Sequence, residues 1–502
     1  MEKKYILAIE EWPTNNQVVL FDEEARIVGN SQSEIKQVCP MTGWFEVDAE
    51  TILPSYYNMI HEVLSKNEIL PKQIAGLGFC IDRGSTIIWD KNTGDPVYNA
   101  IIWKDERNSD YCDLLRDANY AEYIDFSTGL FIHHYFSASK IHWILDNVAD
   151  AKIKAKRGEL LFGTISTYII WHLSGGKLHI MDYNCASQTM LFNIRQLCWD
   201  EKICDVFDIP LCMLPEVVDS SKLQGHTDTK IFPEVAIPIA GIVGNFQSEL
   251  FGLSDFNPGV LRANFRFNGS FYLNTGKNPI KSEKGFLTAI EWKINDMTLY
   301  ALEGSIMIGG LLLDWLMKNL NLISSKDEAE ILALEAGSNG GVYIVPSFGK
   351  LGIPYWEDAK GVITGLSLSS ERKHIVRAAL ESIAYQTYDI LRVLESDSEV
   401  KINTIELDGV FSENTFLMQF MADITRIPVK AFPTYPTTLG VAFLSGMAVK
   451  LWTKEQITDM RPAFTTYLPS IDEAERERRY LGWQTAVRQV RQKEDSYEEN
   501  YF

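Results

Sequence analysis

The chain has 502 residues, which is too long for one ordinary hydrophobic core and predicts two domains with a cleft between them. Hydrophobic residues make up 46% of the sequence and charged residues 23%, a balance typical of a globular protein that excludes a disordered chain. The formal net charge of -20, without a cluster of lysine and arginine, argues against a nucleic-acid partner.

The sequence carries no targeting or membrane signal that we recognise. Its first residues turn acidic after one short apolar run, and no run of about 18 apolar residues follows. We therefore expect a cytoplasmic protein with no membrane span. Its 7 cysteines show no CxxC spacing and lie in the first half, which predicts reduced, structural thiols.

Alternating apolar runs and turn residues predict a mixed α/β first half that opens with a β-hairpin. The elements predicted there are strands at Tyr5–Ile9, Val18–Phe21 and near Ile27, a helix at Ala49–Leu64, strands at Ile74–Cys80, Thr86–Trp89 and Ala100–Trp103, and helices at Ala138–Asn147 and Thr164–Leu173.

The order of predicted strands and helices begins again near Ile239. The elements predicted after it are two strands within Leu261–Leu273 that turn at Asn268 and Gly269, a strand at Tyr300, a helix at Gly304–Lys318, a strand at Val342–Ile344, a helix at Ile375–Leu394, a strand at Thr404–Leu407 and a helix at Asn414–Ile424. Similar beginnings in the two halves predict a duplicated α/β domain with a hinge near residues 245–258.

Two long segments resemble the signature patterns of the FGGY carbohydrate kinases. They are Tyr135–Asn147 (YFSASKIHWILDN) and Gly361–Glu381 (GVITGLSLSSERKHIVRAALE). Shorter segments are similar to the glycerol kinase branch of that family, namely NAIIW, LLFGT, MLFNI, LPEV, YALEG and ESIAYQT. The resemblance extends over nearly the whole chain.

The resemblance implies two RNase H-like domains of the actin and hexokinase type with an interdomain cleft. The expected boundaries are residues 1–252 for the polyol-side domain, 253–492 for the nucleotide-side domain and 493–502 for an acidic tail. It also implies the reaction of ATP and glycerol to glycerol 3-phosphate and ADP, with Mg as cofactor and a carboxylate as general base.

On the polyol side, the resemblance assigns substrate binding to Arg83, Gly84, Trp103, Tyr135 and Phe271. Gly84 stands where the family has Glu, so one strong acceptor is missing, and a missing hydrogen bond to a hydroxyl is worth about 1 to 3 kcal/mol. Two nearby carboxylates, at positions 82 and 105, are not family site residues, and we expect them to be solvated loop residues.

The catalytic and phosphate-binding positions depart from the family pattern. Asn245 stands at the general-base Asp, and an amide cannot accept a proton near neutral pH. The family phosphate loop between the opening strands reads Asp-Gln-Gly-Thr-Thr-Ser-Ser-Arg, and only Thr14 is unchanged in this chain, with Trp12 and Pro13 in place of small residues. The other positions of the loop that bear on nucleotide or metal binding are Glu10, Asn15 and Gln17, of which Glu10 is the candidate Mg ligand.

The remaining nucleotide positions are also altered in part. Asn268 lies in a second loop that has lost one glycine, and Asp314 stands at a family Gln. Val410 replaces a glycine that leaves room for the nucleotide, whereas Gly310 and Asn414 are retained.

These changes predict a pseudokinase, or a non-catalytic subunit that binds glycerol or a small polyol and forms homo-oligomers or hetero-oligomers with active glycerol kinase. Two alternatives stay open. One is an active ATP-dependent glycerol kinase with compensating residues, and the other is a kinase of another small polyol.

Overall fold

The computed structural model describes residues 3–12, 15–253, 257–265, 268–306, 309–350, 353 and 358–491. No helix in these ranges is long and apolar enough to cross a lipid bilayer. The description therefore covers both halves of the chain, and it omits the C-terminal segment from residue 492.

The first half, up to residue 253, contains fifteen described strands. They are β1 (Tyr5–Glu10), β2 (Asn16–Phe21), β3 (Ile27–Ser33), β4 (Gln37–Val38), β5 (Glu46–Val47), β6 (Ile74–Ile81), β7 (Ile87–Asp90), β8 (Ala100–Ile101), β9 (Leu160–Gly163), β10 (Ile180–Asp182), β11 (Phe192–Asn193), β12 (Cys198–Trp199), β13 (Glu216–Val218), β14 (Ser221–His226) and β15 (Pro238–Gly244).

Its helices lie between groups of these strands. They are α1 (Ala49–Lys66), α2 (Ser109–Asp117), α3 (Ala121–Thr128), α4 (Ser137–Asn147), α5 (Ala151–Lys156), α6 (Ile165–Leu173), α7 (Tyr183–Ser187), α8 (Glu201–Val206) and α9 (Asn245–Leu253), with 3-10 turns at Pro71–Gln73 and Leu211–Met213.

The second half has longer strands and helices. Its strands are β16 (Val260–Asn264), β17 (Gly269–Gly276), β18 (Leu287–Ile294), β19 (Met297–Ile306), β20 (Tyr343–Lys350), β21 (Asp358–Thr364), β22 (Thr404–Asp408), β23 (Val429–Ala431) and β24 (Thr465–Tyr467). Its helices are α10 (Leu311–Lys318), α11 (Lys326–Ala336), α12 (Arg372–Ser398), α13 (Thr415–Thr425), α14 (Thr438–Ala448), α15 (Lys454–Met460) and α16 (Glu473–Arg491).

Two large sheets of similar topology form the two lobes, and the second has one additional strand, β18. The first has the order β14-β15-β6-β1-β2-β3 and the second the order β18-β19-β17-β16-β22-β23-β24. In both, an antiparallel pair (β1 with β2, β16 with β17) leads into parallel strands (β1-β6-β15, β16-β22-β23) and ends on an antiparallel edge strand. The duplicated α/β domain predicted from the sequence is thereby confirmed.

One predicted helix boundary is wrong. The sequence predicted a helix from Gly304, but β19 continues to Ile306 and α10 begins at Leu311. Gly304 pairs with Phe271 across the β17-β19 ladder, so its backbone is held in the sheet.

Helix α14 comes late in the chain yet packs against the first sheet. The hydroxyl of Ser445 in α14 donates to the carbonyl of Leu77 in β6 (3.2 Å), and Ser221 in β14 donates to the carbonyl of Leu444 (2.8 Å). The backbone N–H of Val441 donates to Ser248 Oγ in α9 (2.8 Å). Together α9 and α14 form a helix pair beside the first sheet, and the chain division expected at residue 252 does not coincide with this packing.

Gly440 allows α14 to approach α9 this closely. A Cβ built on Gly440 would overlap the backbone carbonyl oxygen of Ser248. A backbone atom cannot move aside as a flexible side chain can, so a methyl group here must push the two helices apart. This contact also fixes α9, whose first residue is the candidate site residue Asn245.

We predict that Gly440→Ala lowers the free energy of unfolding by about 1 to 3 kcal/mol, the usual cost of overpacking, although alanine favours helices more than glycine does. Urea denaturation measures this change. Gly225→Ala is the matched control, since the nearest atoms to a Cβ there belong to the movable Leu178 side chain, at 3.0 Å. Equal stability of the two variants would contradict the close packing of α9 on α14.

Candidate active site

A buried ion pair joins the two lobes. Arg83, two residues after β6, donates Nη1 to Glu303 Oε1 (2.8 Å) and Nη2 to Oε2 (3.1 Å). The side chains are 7% and 8% exposed. Burial works to lower the pKa of Arg83, but the Glu303 carboxylate outweighs burial and raises that pKa above its ordinary value. Gln247 of α9 also donates to Glu303 Oε1 (3.0 Å).

Trp103 and Tyr135 form an aromatic wall beside this pair. Their ring centroids are 5.8 Å apart, and Trp103 remains 38% exposed. A Cβ on Gly84 would overlap Trp103 Cβ, so Trp103 occupies the space that a side chain at position 84 needs. Burial raises the pKa of Tyr135 to about 12, so its hydroxyl is neutral near pH 7.

The carboxylates of Asp82 and Asp105 are buried, which corrects the expectation that they are solvated loop residues. Burial raises the pKa of Asp82 to about 6, against the opposing effect of Lys140. Burial also lowers the pKa of Lys140 to about 7, and this lysine donates to the Tyr135 carbonyl. Asp105 instead forms an ion pair with Arg107 (2.8 Å).

Asn245 is the first residue of α9 and lies directly after β15. Its Nδ2 donates to the backbone carbonyl of Glu11 (2.8 Å). Its buried Oδ1 has no hydrogen-bond partner among the described residues. The amide therefore binds the carbonyl as a donor, which a carboxylate in the same place could not do.

The Glu11 side chain lies in the first-lobe interior. Its Oε1 accepts from Ser85 Oγ (2.6 Å), and its Oε2 accepts from the N–H (2.9 Å) and the Oγ (2.6 Å) of Ser166 in α6. Burial first, and the nearby Asp82 second, raise the pKa of Glu11 to about 8. Glu11 is thus largely protonated near neutral pH.

Both carboxylate oxygens of Glu10 are bonded within the chain. Oε1 accepts from the Trp12 indole N–H (2.6 Å), and Oε2 accepts from the Gln17 amide. No group of three or more His, Cys, Asp or Glu side chains in the described ranges is arranged to hold a metal ion. The carboxylate of Glu10 is thereby held by its neighbours Trp12 and Gln17.

A row of aromatic rings crosses the cleft between Trp12 and the second sheet. Phe246 lies 6.1 Å from Trp12 and 5.5 Å from Tyr272 of β17, measured between ring centroids, and the Arg83 guanidinium lies 5.7 Å above Phe246. The side chain of Phe271 was expected in the polyol pocket, but it packs against Phe265 in the second-lobe core (5.7 Å). Since neighbouring strand residues point to opposite faces, the buried Tyr272 packs against Phe246 instead.

The predicted nucleotide residues have mostly structural contacts. Asn414 caps α13 by accepting from the Leu417 N–H (2.8 Å), Asp314 pairs with Lys318 (3.2 Å), and Val410 packs against the second-lobe core. The backbone carbonyl of Asn268 lies where a Cβ on Gly309 would be. The other predicted positions are Gly310 at the start of α10, Asn15, which is exposed, and Thr14, which lies outside the described residues.

The site contains three residues that the sequence did not identify, namely Glu303, Phe246 and Tyr272. The sequence does contain a signal for Glu303. It is an acidic residue inside the apolar run LYALEG, and a buried acidic residue needs a buried partner. Phe246 follows Asn245 directly in the sequence, but its contact with Arg83 depends on the fold. Tyr272 and Phe271 are both aromatic, and the pattern alone does not tell which of the two packs against Phe246.

Comparisons with known proteins agree on one family. The model of the FGGY family of carbohydrate kinases matches residues 5–252 with its N-terminal domain and residues 268–449 with its C-terminal domain. Glycerol kinase of Carboxydothermus hydrogenoformans is 44% identical over 495 residues, which is 98% of this chain and 99% of that protein. Glycerol kinase 2 of Thermotoga maritima is 44% identical over 487 residues, or 96% and 98% of the two chains.

The fold is also similar to a solved structure. The crystal structure of Plasmodium falciparum glycerol kinase with ADP superposes with a TM-score of 0.92 at 32% identity and covers 97% of this chain and 98% of that one. At this level of similarity, the two-domain fold expected from the sequence is confirmed.

The protonation of Glu11 gives a prediction about pH. The pKa is about 8 in the folded protein and about 4.5 in the unfolded chain, so the contribution of Glu11 to stability is fully present below pH 4.5 and is lost as the pH rises through 8. We predict that Glu11→Gln, which cannot ionise, gains stability relative to the native protein between pH 5 and 8.

Urea unfolding at each pH measures this difference. Glu62→Gln is the control: the pKa of Glu62 is lowered by its hydrogen bond to Lys66, so its contribution is lost only at acidic pH and should stay constant across this window. A Glu11→Gln difference that is equally constant would show that Glu11 is ionised in the folded protein.

Proposed function

The chain belongs to the FGGY family of carbohydrate kinases, and we propose that it binds glycerol or a similar small polyol between its lobes but transfers phosphate from ATP poorly or not at all. The family reaction of its curated relatives, named glycerol kinases, sets the substrate class. The observation that carries the proposal is that both carboxylate oxygens of Glu10, at the metal position of the family, are bonded to Trp12 and Gln17.

Unused hydrogen-bonding groups support the binding of a polyol. Three buried oxygens, Asp82 Oδ2, Asn245 Oδ1 and Gln247 Oε1, have no hydrogen-bond partner among the described residues. Asp82 directly precedes Arg83, and Gln247 donates to Glu303, the partner of Arg83. Asn245 begins helix α9, which also contains Gln247. Hydroxyl groups are donors that satisfy such acceptors. Trp103 and Tyr135 add an apolar wall for the carbon face of the ligand.

The position of the general base argues against efficient transfer. Asn245 cannot take up the proton of a hydroxyl near neutral pH, and the loss of general-base catalysis costs about 100- to 10,000-fold in rate. Asn245 is also held by the Glu11 carbonyl, so its amide serves packing. The base alone is not decisive, because phosphoryl transfer depends more on positioning and charge neutralisation.

The nucleotide side gives the second argument. A metal at Glu10 would have to displace the hydrogen bonds from Trp12 and Gln17, and the Trp12 ring is further held against Phe246. Val410 stands in the second lobe where the family has a glycine, and it packs against the core there. These residues do not fit ATP with magnesium in a reactive arrangement.

One observation favours the alternative of an active kinase. Asp82 is a buried carboxylate beside Arg83, its Oδ2 has no partner among the described residues, and its pKa is about 6. These are the properties of a general base near neutral pH. In that case Asp82 would replace the missing family carboxylate. Phosphorylation of another polyol, cytoplasmic location and assembly with active subunits stay predictions.

We predict that purified protein with glycerol, ATP and magnesium releases ADP at background rate, while calorimetry detects glycerol binding. Asn245→Asp alone should leave turnover near background, because the altered loops still exclude a reactive nucleotide. A variant that also carries the family residues at positions 10–17, 266–270 and 410 should gain measurable turnover. A coupled assay of ADP release gives all three rates.

Two variants sharpen the result. Trp103→Ala should weaken glycerol binding, whereas Leu114→Ala, at a residue that is 66% exposed, should leave it unchanged. Robust turnover by the native protein that disappears in Asp82→Asn would establish the active-kinase alternative and overturn the proposal.

A further inference from the structure

Four buried oxygen atoms near the ion pair of the two lobes lack a hydrogen-bond donor among the residues that the structure describes. They are Asp82 Oδ2, Asn184 Oδ1, Asn245 Oδ1 and Gln247 Oε1. Each of the four side chains is at most 8% exposed. A buried acceptor without a donor is costly, so these atoms indicate a ligand that supplies donors.

The three amide side chains are held in one orientation by the groups to which they donate. Asn184 Nδ2 donates to the carbonyl of Ile290 (2.5 Å). Gln247 Nε2 donates to the carboxylate of Glu303 (3.0 Å), and Asn245 Nδ2 donates to a backbone carbonyl (2.8 Å). Turning any of these amides around would place its oxygen against another oxygen. The atoms without a partner are therefore acceptors and not donors.

The acceptors come from elements that meet at one edge of the first sheet. The strands β6 and β15 are parallel neighbours whose last residues pair with each other. Asp82 and Asn245, which follow these residues, therefore leave the sheet at the same edge. A Cβ on Gly244 would lie 2.3 Å from Asn184 Oδ1 and 2.7 Å from Arg83 Cδ, so Asn184 also lies beside Arg83.

The carboxylate of Asp82 adds a negative charge to these acceptors. It accepts from the Gly84 N–H, and its pKa of about 6 leaves it largely ionised at pH 7. The two cations whose charges act on it have other hydrogen-bond partners: Arg83 binds Glu303, and Lys140 donates to two backbone carbonyls. A positively charged donor on a ligand would form a charge-assisted hydrogen bond with Asp82 Oδ2.

Aromatic rings lie beside this carboxylate. Burial, and after it Asp82, raise the pKa of Tyr135 to about 12 against the effect of Arg83, so the phenol is within electrostatic range of both charges. The ring of Trp103 lies 5.8 Å from that of Tyr135, and its Cβ lies against Gly84. Aromatic faces next to a carboxylate are suited to an ammonium group.

We propose that the polyol site selects a small amino alcohol over glycerol, with the ammonium group donating to Asp82 Oδ2 and the hydroxyl groups donating to the amide oxygens of Asn245 and Gln247. An ammonium group carries three donors and no acceptor, which matches atoms that can only accept. A hydroxyl group in its place donates one hydrogen and needs a donor of its own. This assignment rests on the function proposed above and makes its ligand class more specific.

Calorimetry on the full chain with 2-amino-1,3-propanediol, glycerol and 1,3-propanediol tests the proposal. The three compounds differ only at the middle carbon, which carries an ammonium group, a hydroxyl group or hydrogen. The aminodiol should bind about tenfold more tightly than glycerol, because its hydrogen bond to the carboxylate is charge-assisted. Glycerol should in turn bind more tightly than 1,3-propanediol.

The variant Asp82→Asn keeps an acceptor but removes the charge. It should lower the affinity for the aminodiol about tenfold and leave the affinity for glycerol nearly unchanged. Asp113→Asn is the matched control, since the Asp113 side chain on α2 is 59% exposed, and it should keep the native preference. A preference for the aminodiol that persists undiminished in Asp82→Asn would overturn the proposal.

The comparison in the native protein needs no variant, so the test does not depend on the folding of Asp82→Asn. Glycerol binding that equals or exceeds binding of the aminodiol overturns the selectivity proposed for the site and leaves the proposed binding of a polyol in place. Absence of binding by all three compounds overturns both.

Discussion

The ion pair between Arg83 and Glu303 joins one lobe to the other where both are almost out of water. Removing one partner of such a pair leaves an uncompensated buried charge, which costs about 3 to 5 kcal/mol. The two hydrogen bonds between Arg83 and Glu303 therefore constrain the relative position of the two sheets. Gln247 binds the same carboxylate, and Phe246 lies under the guanidinium, so α9 is tied to this pair from both sides.

Residues that differ from the family pattern make specific contacts with neighbouring residues. Trp103 fills the space above Gly84, Trp12 and Gln17 bind the carboxylate of Glu10, and the amide of Asn245 donates to the Glu11 carbonyl. In each case the residue present meets a complementary neighbour. These contacts explain how the folded protein accommodates residues that differ from the family pattern.

Local patterns predicted local structure well: the apolar runs at Tyr5–Ile9 and Val18–Phe21 are the strands β1 and β2, and the two strands predicted within Leu261–Leu273 correspond to β16 and β17, which open the second sheet. Contacts between residues that are distant in the sequence could not be predicted from it. Arg83 and Glu303 are 220 positions apart in the sequence. Asp82 is buried beside Lys140, which is also distant from it in the sequence. The packing of α14 on the first sheet likewise depends on the contact at Gly440, which no periodicity reveals.

A double-mutant cycle on Arg83→Met and Glu303→Gln tests directly whether this pair holds the lobes together. Urea unfolding of the native protein, the two single variants and the double variant gives the coupling energy. We expect each single change to cost about 3 to 5 kcal/mol in free energy of unfolding, and the double change to cost clearly less than their sum. The exposed pair Glu62 and Lys66 provides a control with at most about 0.5 kcal/mol of coupling. Additive losses at Arg83 and Glu303 would show that the pair does not hold the lobes together.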